Sequence, residues 1–261
     1  MFFRRIIFLF TLVNAAFQAF SQSPILPEEA KPFVANGYEM LDYITGDLNG
    51  DKRADAILIL RVPGEDTLLD DTPLRPLILL MRQPNGKLKQ EKRSDNIIMC
   101  RHCGGLFGDP YEDTKIYDNG FTIDFYGGGN WRWSYQYTFS YSAAKKNWLL
   151  SKEMLGSFRA DDPEMKMTEV NIGAAELEGI NFDNFKPGTT YEDSRWKVTA
   201  AKTFFFDNPA IGNKPRKGYL LKGDVVTGIR KLKNFLEISF QNSKEHFTTG
   251  YVLKKDLIKI K

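Results

Sequence analysis

Acidic and amide side chains crowd one short polar stretch of the chain, TGDLNGDKRADAILIL. Asp47, Asn49, Asp51 and Asp55 fill positions one, three, five and nine of a loop whose spacing suits calcium. Calcium takes about six to eight oxygen ligands, and the backbone carbonyl at position seven, here that of Arg53, supplies one more. The spacing therefore predicts a calcium site formed by these five residues.

The same stretch departs from familiar calcium loops at two positions. Leu58 occupies position twelve, where an EF-hand has a bidentate Glu, so the loop is not an EF-hand. Lys52 occupies position six, where glycine makes the sharp turn, and lysine adopts that bend at a cost of roughly 1 kcal/mol or more. A second interpretation stays open, in which the side chains accept hydrogen bonds from backbone amides in a metal-free polar turn.

The two cysteines, Cys100 and Cys103, form a C-x-x-C motif in CRHCGGLFGDPYED. In an exported chain such a pair most simply forms a disulfide bond. Zinc binding with His102 and the distant His246 is an alternative with a weak pattern, and a redox role lacks the flanking βαβ pattern. Covalent haem is excluded, because Gly104 stands where the motif needs histidine.

The sequence establishes no catalytic residue. A thiol hydrolase would need one of the cysteines as nucleophile and His246 as base, but a neighbouring cysteine invites oxidation of that nucleophile. A glycosidase needs two carboxylates, for which Asp109, Glu112 and Asp113 are the first candidates. A solvated acidic loop explains these three residues more simply. We therefore expect a protein without catalytic activity.

Hydrophobic periodicity predicts β-strands around these motifs. AILILRV and RPLILLM are apolar enough to be buried strands, and Asn119-Gly120 marks a hairpin. In NWRWSYQYTFSYS every odd position from Trp131 to Tyr141 is aromatic, and the positions between them are polar. Six rings then lie on one face of one strand. They either pack into the core or form a platform for sugars or bases.

The chain divides into an export signal and two predicted β domains. Residues 1–21 have two arginines before a short apolar run and small residues, as in a secretory signal peptide. Residues 22–37, with three prolines, read as an exposed lead-in, and residues 38–159 as an antiparallel meander or sandwich-like domain. Residues 160–198 lack a sustained hydrophobic period, which predicts a linker. Residues 199–261 regain short strands and predict a compact β-barrel.

Composition supports this division and excludes some functions. An aromatic content of 13% favours a mostly β protein. Residues 22–261 contain 34 Lys and Arg against 33 Asp and Glu, a formal charge of +1, so the whole chain has no electrostatic case for binding nucleic acid. The apolar run of the signal is shorter than the roughly 20 residues of a membrane helix, and we expect no transmembrane segment after its cleavage.

The last segment resembles the bacterial SH3-like domain. The segment FFFDNP matches the opening aromatic strand of that family, and KGYLLKGDVVTGI matches its lysine-glycine-aspartate signature. FLEISF matches the central strand, and GYVLKKDL matches the closing strand. Tyr251 stands where the family usually has tryptophan. The resemblance implies a small barrel that binds peptides or cell-wall glycan, with Tyr219 and Tyr251 as candidate ligand-binding residues.

The acidic loop resembles the loop of integrin-type propeller repeats, known as FG-GAP or VCBS repeats, but a propeller needs several copies and this chain has one. With CRHCGGLFGDPY and GGGNWRWSYQYTFSY, it resembles an uncharacterised group of secreted bacterial proteins over residues 38–159. We expect an exported, noncatalytic binding protein of the cell envelope, periplasmic or secreted, with calcium as cofactor and peptide or peptidoglycan as partner. The alternative is a cell-wall hydrolase or an inhibitor of one.

Overall fold

The computed structural model of the chain describes residues 25–68, 73–117, 119–164, 166–187, 194–242 and 245–260. The expected signal peptide, residues 1–21, lies outside these ranges. The described strands are β1 Glu39–Gly46, β2 Asp55–Arg61, β3 Arg75–Arg82, β4 Leu88–Ile98, β5 Tyr111–Tyr117, β6 Gly120–Gly128, β7 Trp131–Ser142, β8 Asn147–Arg159, β9 Thr168–Gly173, β10 Ser194–Val198, β11 Lys202–Phe204, β12 Tyr219–Leu221, β13 Val225–Lys231, β14 Phe235–Gln241, β15 Phe247–Leu253 and β16 Leu257–Lys259. Short 3-10 helices cover Lys31–Phe33, Glu65–Thr67 and Lys254–Asp256. The prediction of a mostly β, antiparallel fold is confirmed.

The first sheet is an antiparallel meander in the order β1-β2-β3-β4. Its central strands β2 and β3 are apolar between their charged first and last residues, and both faces of the sheet are covered. Ile57 belongs to the core shared with the next sheet, whereas its neighbour Leu58 faces the N-terminal lead-in. In that lead-in Phe33 and Val34 pack on the sheet and Ala30 is fully buried. The lead-in, expected to be exposed, is thus partly built into the fold.

The second sheet has the antiparallel order β5-β6-β7-β8-β9. The predicted hairpin between β5 and β6 is confirmed, and Asn119 has a φ of 71° in its turn. Gly120, expected to be the second turn residue, instead begins β6 opposite Tyr117. Pairing of β7 with β8 runs from Trp131 opposite Arg159 to Ser142 opposite Asn147. This long register fixes which side chains of β8 share a face with the aromatic rings of β7.

The two sheets pack face to face around one hydrophobic core. Ile57 of the first sheet and Phe121 and Phe139 of the second belong to the same cluster of buried side chains. The rings of Phe121 and Phe139 stack with centroids 5.0 Å apart. Buried Trp148 donates its indole N–H to the carbonyl of Leu48, at 2.8 Å. The result is the sandwich-like arrangement that the sequence predicts.

The segment expected to be a linker, residues 160–198, contributes two short strands to the flanking sheets. Thr168–Gly173 pairs with β8, and Ser194–Val198 pairs with β13 and β16. Between these strands Leu177 and Phe182 are buried in the sandwich core. Strands of five or six residues are too short to show a hydrophobic period, and their stability comes from long-range packing.

The C-terminal unit, β10 to β16, contains a five-stranded sheet in the order β15-β14-β13-β10-β16 and a two-stranded ribbon, β11-β12. Trp196, Leu236 and Val252 lie in its own core. These sheets stay open among the described residues, so the closed barrel expected for this unit is not formed. The strands β11, β12 and β16 have three residues each, and only an isolated bridge joins Phe206 to Tyr251.

The C-terminal unit also shares a core with the N-terminal unit, β1 to β9. Leu232, Phe235 and Tyr251 belong to the same buried cluster as the sandwich side chains. The carboxylate of Glu176 accepts two hydrogen bonds from Asn234, one from its backbone amide and one from its side chain, each at 2.8 Å. The C-terminal unit is therefore packed directly against the sandwich.

Candidate functional site

The acidic loop joins β1, which ends at Gly46, to β2, which begins at Asp55. Carboxylate oxygens of Asp47, Asp51 and Asp55 lie within 4.8 Å of one another. Asn49 lies beside them and donates its side-chain amide to Asp51 at 3.1 Å. The structure thus brings four of the predicted side chains together, and the three carboxylates could hold a metal ion.

Backbone amides hold the carboxylates of the loop in place. Asp47 accepts hydrogen bonds from four amides of the loop, at 2.6 to 3.2 Å. Asp55 accepts from the amides of Leu48 and Arg82, at 3.0 and 2.8 Å. A carboxylate oxygen has more than one lone pair, so an amide contact does not use up its capacity for a cation. The contacts suit both a polar turn and a metal loop.

Charge repulsion is concentrated at the buried end of the loop. Asp55 is fully buried, and burial raises its pKa against two amide hydrogen bonds, while the charges of Asp51 and Asp47 raise it further. At Asp47, partial burial opposes the ionised form, but the four amide contacts outweigh it and lower the pKa. A cation between these carboxylates would favour their charged forms.

The backbone of the loop makes the sharp bend despite the lysine at position six. Lys52 has a φ of 66°, a left-handed conformation that strains any residue except glycine. The carbonyl of Arg53, the predicted ligand at position seven, accepts a hydrogen bond from the amide of Asp55 at 3.1 Å. The guanidinium of Arg53 forms an ion pair with Asp51. Arg53 therefore places a positive charge against one of the candidate ligands.

Cys100 and Cys103 form a disulfide bond, with their Cα atoms 5.1 Å apart, as predicted. In this oxidised form neither sulfur offers a thiolate to a substrate or to zinc. His102 does not complete a metal site with them; its Nε2 lies 2.8 Å from the carbonyl oxygen of Leu68. The motif closes a small loop.

Two of the carboxylates first considered for catalysis have structural partners. The guanidinium of Arg75 is completely buried and donates to both oxygens of Asp109, at 2.7 Å each. Arg75 also forms a buried ion pair with Glu65. Asp113 pairs with Lys115 at 2.9 Å on the surface. Ion pairing gives Asp109 and Asp113 a structural role, and neither lines the cleft between the second sheet and the C-terminal unit.

A cleft of about 660 Å³ lies between the inner face of the second sheet and the C-terminal unit. We call it the aromatic cleft, because Trp131, Trp133, Tyr135 and Tyr137 of β7 line one side. The environment of the rings changes along the strand: Phe139 is fully buried, Tyr137 is 3% exposed and Trp131 is 59% exposed. One aromatic strand therefore serves as core at one end and as cleft wall at the other.

Charged and polar groups line the aromatic cleft on both sides: Glu153 comes from the second sheet, and Arg230 and Glu237 come from the C-terminal unit. Glu153 is paired with Tyr137 across β8 and β7, so it shares the face of the rings. Arg230, Glu237 and Tyr251 are direct neighbours across β13, β14 and β15. Glu153 and Arg230 form an ion pair between the two units, with side-chain exposures of only 2% and 12%. The cleft thus combines apolar rings with buried charge.

A β-bulge directs Arg230 into the aromatic cleft. The register of β13 against β14 shifts between Gly228 and Arg230, which adds one residue to β13 and re-aims the side chain that follows. The guanidinium binds Glu153 through one terminal nitrogen. Its Nε is buried and has no hydrogen-bond partner among the described residues. A buried donor without an acceptor is costly, and this one lies at the wall of an open cleft.

Burial makes the two carboxylates of the aromatic cleft weaker acids. It raises the pKa of Glu153 despite the attraction of Arg230. Burial also raises the pKa of Glu237, against Arg230 and a hydrogen bond from Tyr251, and the charge of Glu153 adds to the rise. Shifted acids in a cleft are typical of functional sites, although structural ion pairs cause shifts as well.

The two predicted ligand-binding tyrosines lie on different surfaces. Tyr251 is 3% exposed and lines the aromatic cleft. Tyr219 is 47% exposed on the outer face of the β11-β12 ribbon, where the ammonium of Lys202 lies 3.5 Å from its ring centroid. The structure therefore does not bring these tyrosines into one groove, because β12 faces outward and β15 faces the N-terminal unit.

Sequence reasoning did not select Glu153, Arg230 and Glu237. The available signal was a charged residue at an inward-facing position of a strand, as at Glu153 in NWLLSKEML. That signal is weak when the register of strand pairing is unknown, because a charged residue at an outward-facing position of a short strand gives the same sequence pattern.

Comparison of the chain with protein-family models, with curated proteins and with solved structures finds no match. Within the described ranges, no helix has the length and apolar character that crossing a bilayer requires.

Proposed function

We propose that this chain is an exported, noncatalytic binding protein of the cell envelope, and that its ligand is a cell-wall glycan bound in the aromatic cleft. The combination of aromatic rings on one side of the cleft with charged groups on the other carries this proposal. Trp133 and Tyr135 line the first side, and Arg230 and Glu237 line the second. A ligand that offers both an apolar face and oxygen acceptors would satisfy both features.

Sugars have this combination of surfaces. The C–H face of a sugar ring packs on aromatic side chains, while its hydroxyl groups donate to carboxylates and accept from guanidinium groups. The aromatic cleft offers the rings of β7 for the first contact, and Glu237 and Arg230 for the second. Its volume, about 660 Å³, falls in the range of roughly 300 to 1,000 Å³ that small-molecule sites occupy.

The proposal includes calcium in the acidic loop, in the role of a structural ion. Asp47, Asp51 and Asp55 supply converging carboxylates, and the ion would offset the repulsion that acts on buried Asp55. The loop leads directly into β2, a central strand of the sandwich, so calcium would stabilise the N-terminal unit. The FG-GAP-like character of this loop and the SH3-like character of the C-terminal unit remain part of the same proposal.

Binding to purified peptidoglycan tests the function. Residues 22–261 are incubated with insoluble peptidoglycan and with soluble glycan fragments, and binding is followed by co-sedimentation and by tryptophan fluorescence. Trp131→Ala should weaken binding by up to roughly tenfold, the value of one aromatic contact. Phe247→Ala is the matched control, because Phe247 is an exposed ring, 69% accessible, that does not line the cleft. Equal binding by both variants would contradict the proposed site.

A wall hydrolase is the second candidate, and the paired acids of the aromatic cleft favour it. Glu153 and Glu237 are two carboxylates in one cleft whose pKa values are raised by burial, a feature of glycosidase acids. Release of soluble reducing fragments from peptidoglycan, abolished by Glu237→Gln, would establish hydrolysis. Sedimentation of the protein with peptidoglycan and without such release supports the binding protein.

A further inference from the structure

The positive charge of this nearly neutral chain is concentrated in its C-terminal unit. Residues 194–261 contain 15 Lys and Arg against 5 Asp and Glu, a formal charge of +10. Residues 22–193 contain 19 Lys and Arg against 28 Asp and Glu, a formal charge of −9. The charge of +1 on residues 22–261 therefore conceals two units of opposite sign, and the electrostatics of the C-terminal unit must be considered separately.

The acids of the C-terminal unit do little to neutralise its outer surface. Asp207 forms an ion pair with Arg216, and Glu237 lies in the aromatic cleft. Asp224 accepts a hydrogen bond from the amide of Leu221, and Asp256 accepts one from the hydroxyl of Thr203. The remaining basic side chains point mainly to solvent and leave a strong positive field around the unit.

The outer face of the β11-β12 ribbon combines this charge with exposed apolar groups. Lys202 pairs with Leu221 and Phe204 with Tyr219, so the four side chains share one face, which we call the basic ribbon face. Each of them is exposed, and Leu221 is 52% accessible. Thr203 and Leu220, which alternate with them along the two strands, are buried and anchor the ribbon to the unit, at 1% and 0% exposure.

Further apolar and basic groups lie next to the basic ribbon face. Exposed Lys222 follows Leu221 directly, and a short turn leads to Val225, which is 36% exposed. Val225 pairs with exposed Lys197 of β10, and Lys197 pairs in turn with Ile258, which is 55% exposed. Aliphatic and lysine side chains therefore alternate across this edge of the unit.

We propose that the basic ribbon face binds the surface of a membrane that contains anionic lipids. Lysines are attracted to the negative surface potential, at about 1 kcal/mol for each one near the surface, while aromatic and aliphatic side chains enter the interface. Exposed aliphatic groups gain nothing from a hydrated polyanion, so Leu221 and Val225 favour a lipid surface. The basic residues are 12 Lys and 3 Arg, and lysine suits diffuse attraction better than the bidentate phosphate contacts typical of arginine.

Vesicle flotation tests this proposal independently of the glycan cleft. Residues 22–261, which lack the apolar signal segment, are mixed with vesicles of phosphatidylcholine alone or with equal parts of phosphatidylglycerol. We expect binding to the second vesicles only, and its loss in about 1 M salt, where the Debye length is near 3 Å. Equal binding to both kinds of vesicle, or to neither, would overturn the proposal.

Charge-reversed variants locate the surface. The double variant Lys202→Glu with Lys222→Glu should bind the phosphatidylglycerol vesicles more than tenfold more weakly, because each lysine removed lowers the vesicle partition coefficient roughly fivefold. Lys87→Glu with Lys89→Glu is the matched control, since it makes the same change in net charge at exposed sites of the N-terminal unit. An equal loss in the control would attribute binding to net charge and reject the basic ribbon face.

Binding measurements with soluble polyanions distinguish a membrane from other acidic partners. Protein that binds duplex DNA or heparin but not the phosphatidylglycerol vesicles would overturn the proposal in favour of a polymer. Leu221→Ser should weaken vesicle binding and leave any polyanion binding unchanged, because only the membrane interface accepts the leucine side chain. Trp131→Ala, which tests the glycan cleft, should leave vesicle binding unchanged, so the two proposals fail separately.

Discussion

Removal of Arg230 would leave the buried carboxylate of Glu153 without its cation and near the charge of the half-buried Glu237 in the aromatic cleft. Arg230→Met keeps an unbranched apolar stem but deletes the guanidinium and with it the positive charge that Glu153 and Glu237 share. Glu153 is only 2% exposed, so solvent does not screen the loss. Breaking a buried ion pair from one side costs about 3 to 5 kcal/mol. For a domain of this size, that lowers the melting temperature by roughly 6 to 20 °C.

The converse substitution should be milder. Glu153→Gln leaves Arg230 charged, but the guanidinium still has Glu237 nearby as a partner. The double variant Glu153→Gln with Arg230→Met removes both members of the ion pair and should recover much of the loss, since neutral pairs are tolerated where lone charges are not. A double-mutant cycle on the free energy of unfolding then isolates the coupling between the two units.

The loss in Arg230→Met should depend on pH with a defined sign. Burial already raises the pKa of Glu153 in the folded state, and removal of Arg230 raises it further. The destabilisation is thus full above that raised pKa, and it shrinks as the pH falls through it, because the protonated acid carries no buried charge.

Urea unfolding, followed by circular dichroism and tryptophan fluorescence, measures these differences. Lys233→Met is the control, because its ion pair with Glu178 also joins the two units but is exposed, at 50% and 59%. Exposed pairs contribute about 0 to 1 kcal/mol. An Arg230→Met variant no less stable than this control, at neutral pH, would refute the electrostatic account of the cleft.

Three further predictions concern the loops. Calcium at a hundred times its dissociation constant should stabilise the protein by about 2.7 kcal/mol over chelator, and Asp51→Ala should abolish the melting shift; no shift at millimolar calcium would leave a polar turn. Lys52→Gly should stabilise the chelated protein by up to about 1 kcal/mol in urea unfolding, because Lys52 has a φ of 66°. Changing Cys100 and Cys103 to Ser should cost roughly 2 kcal/mol or less, since the disulfide closes a very short loop.

The acidic loop was predictable because its groups are local in sequence. Asp47 and Asp51 lie in the connection between β1 and β2, and Asp55 begins β2, so the three carboxylates come from one stretch of nine residues. The engagement of Arg53 with Asp51 was not predictable, since it depends on the side-chain direction that the bent backbone imposes. Local patterns thus identified the candidate metal-binding carboxylates but not the cationic side chain that pairs with one of them.

The sequence predicted the aromatic side of the cleft but not its charged residues. Strict alternation along β7 predicted that Trp131 and Phe139 share a face, and the register confirms that face. Which rings become core depends on what packs over each part of the strand, and that is set by distant segments. The partners Glu153 and Arg230 are 77 residues apart, and a bulge in β13 decides where Arg230 points. Neither this long-range pairing nor the bulge produces a pattern in the local sequence.

The core that the two units share has a mechanical consequence. Since Leu232, Phe235 and Tyr251 are buried with the sandwich side chains, rotation of the C-terminal unit would expose apolar surface to water. The distance between the aromatic cleft and the outward-facing β11-β12 ribbon is therefore fixed by packing, unlike the variable reach of domains on a flexible tether. A force applied at the aromatic cleft would therefore reach the β11-β12 ribbon through packed side chains rather than through a flexible linker.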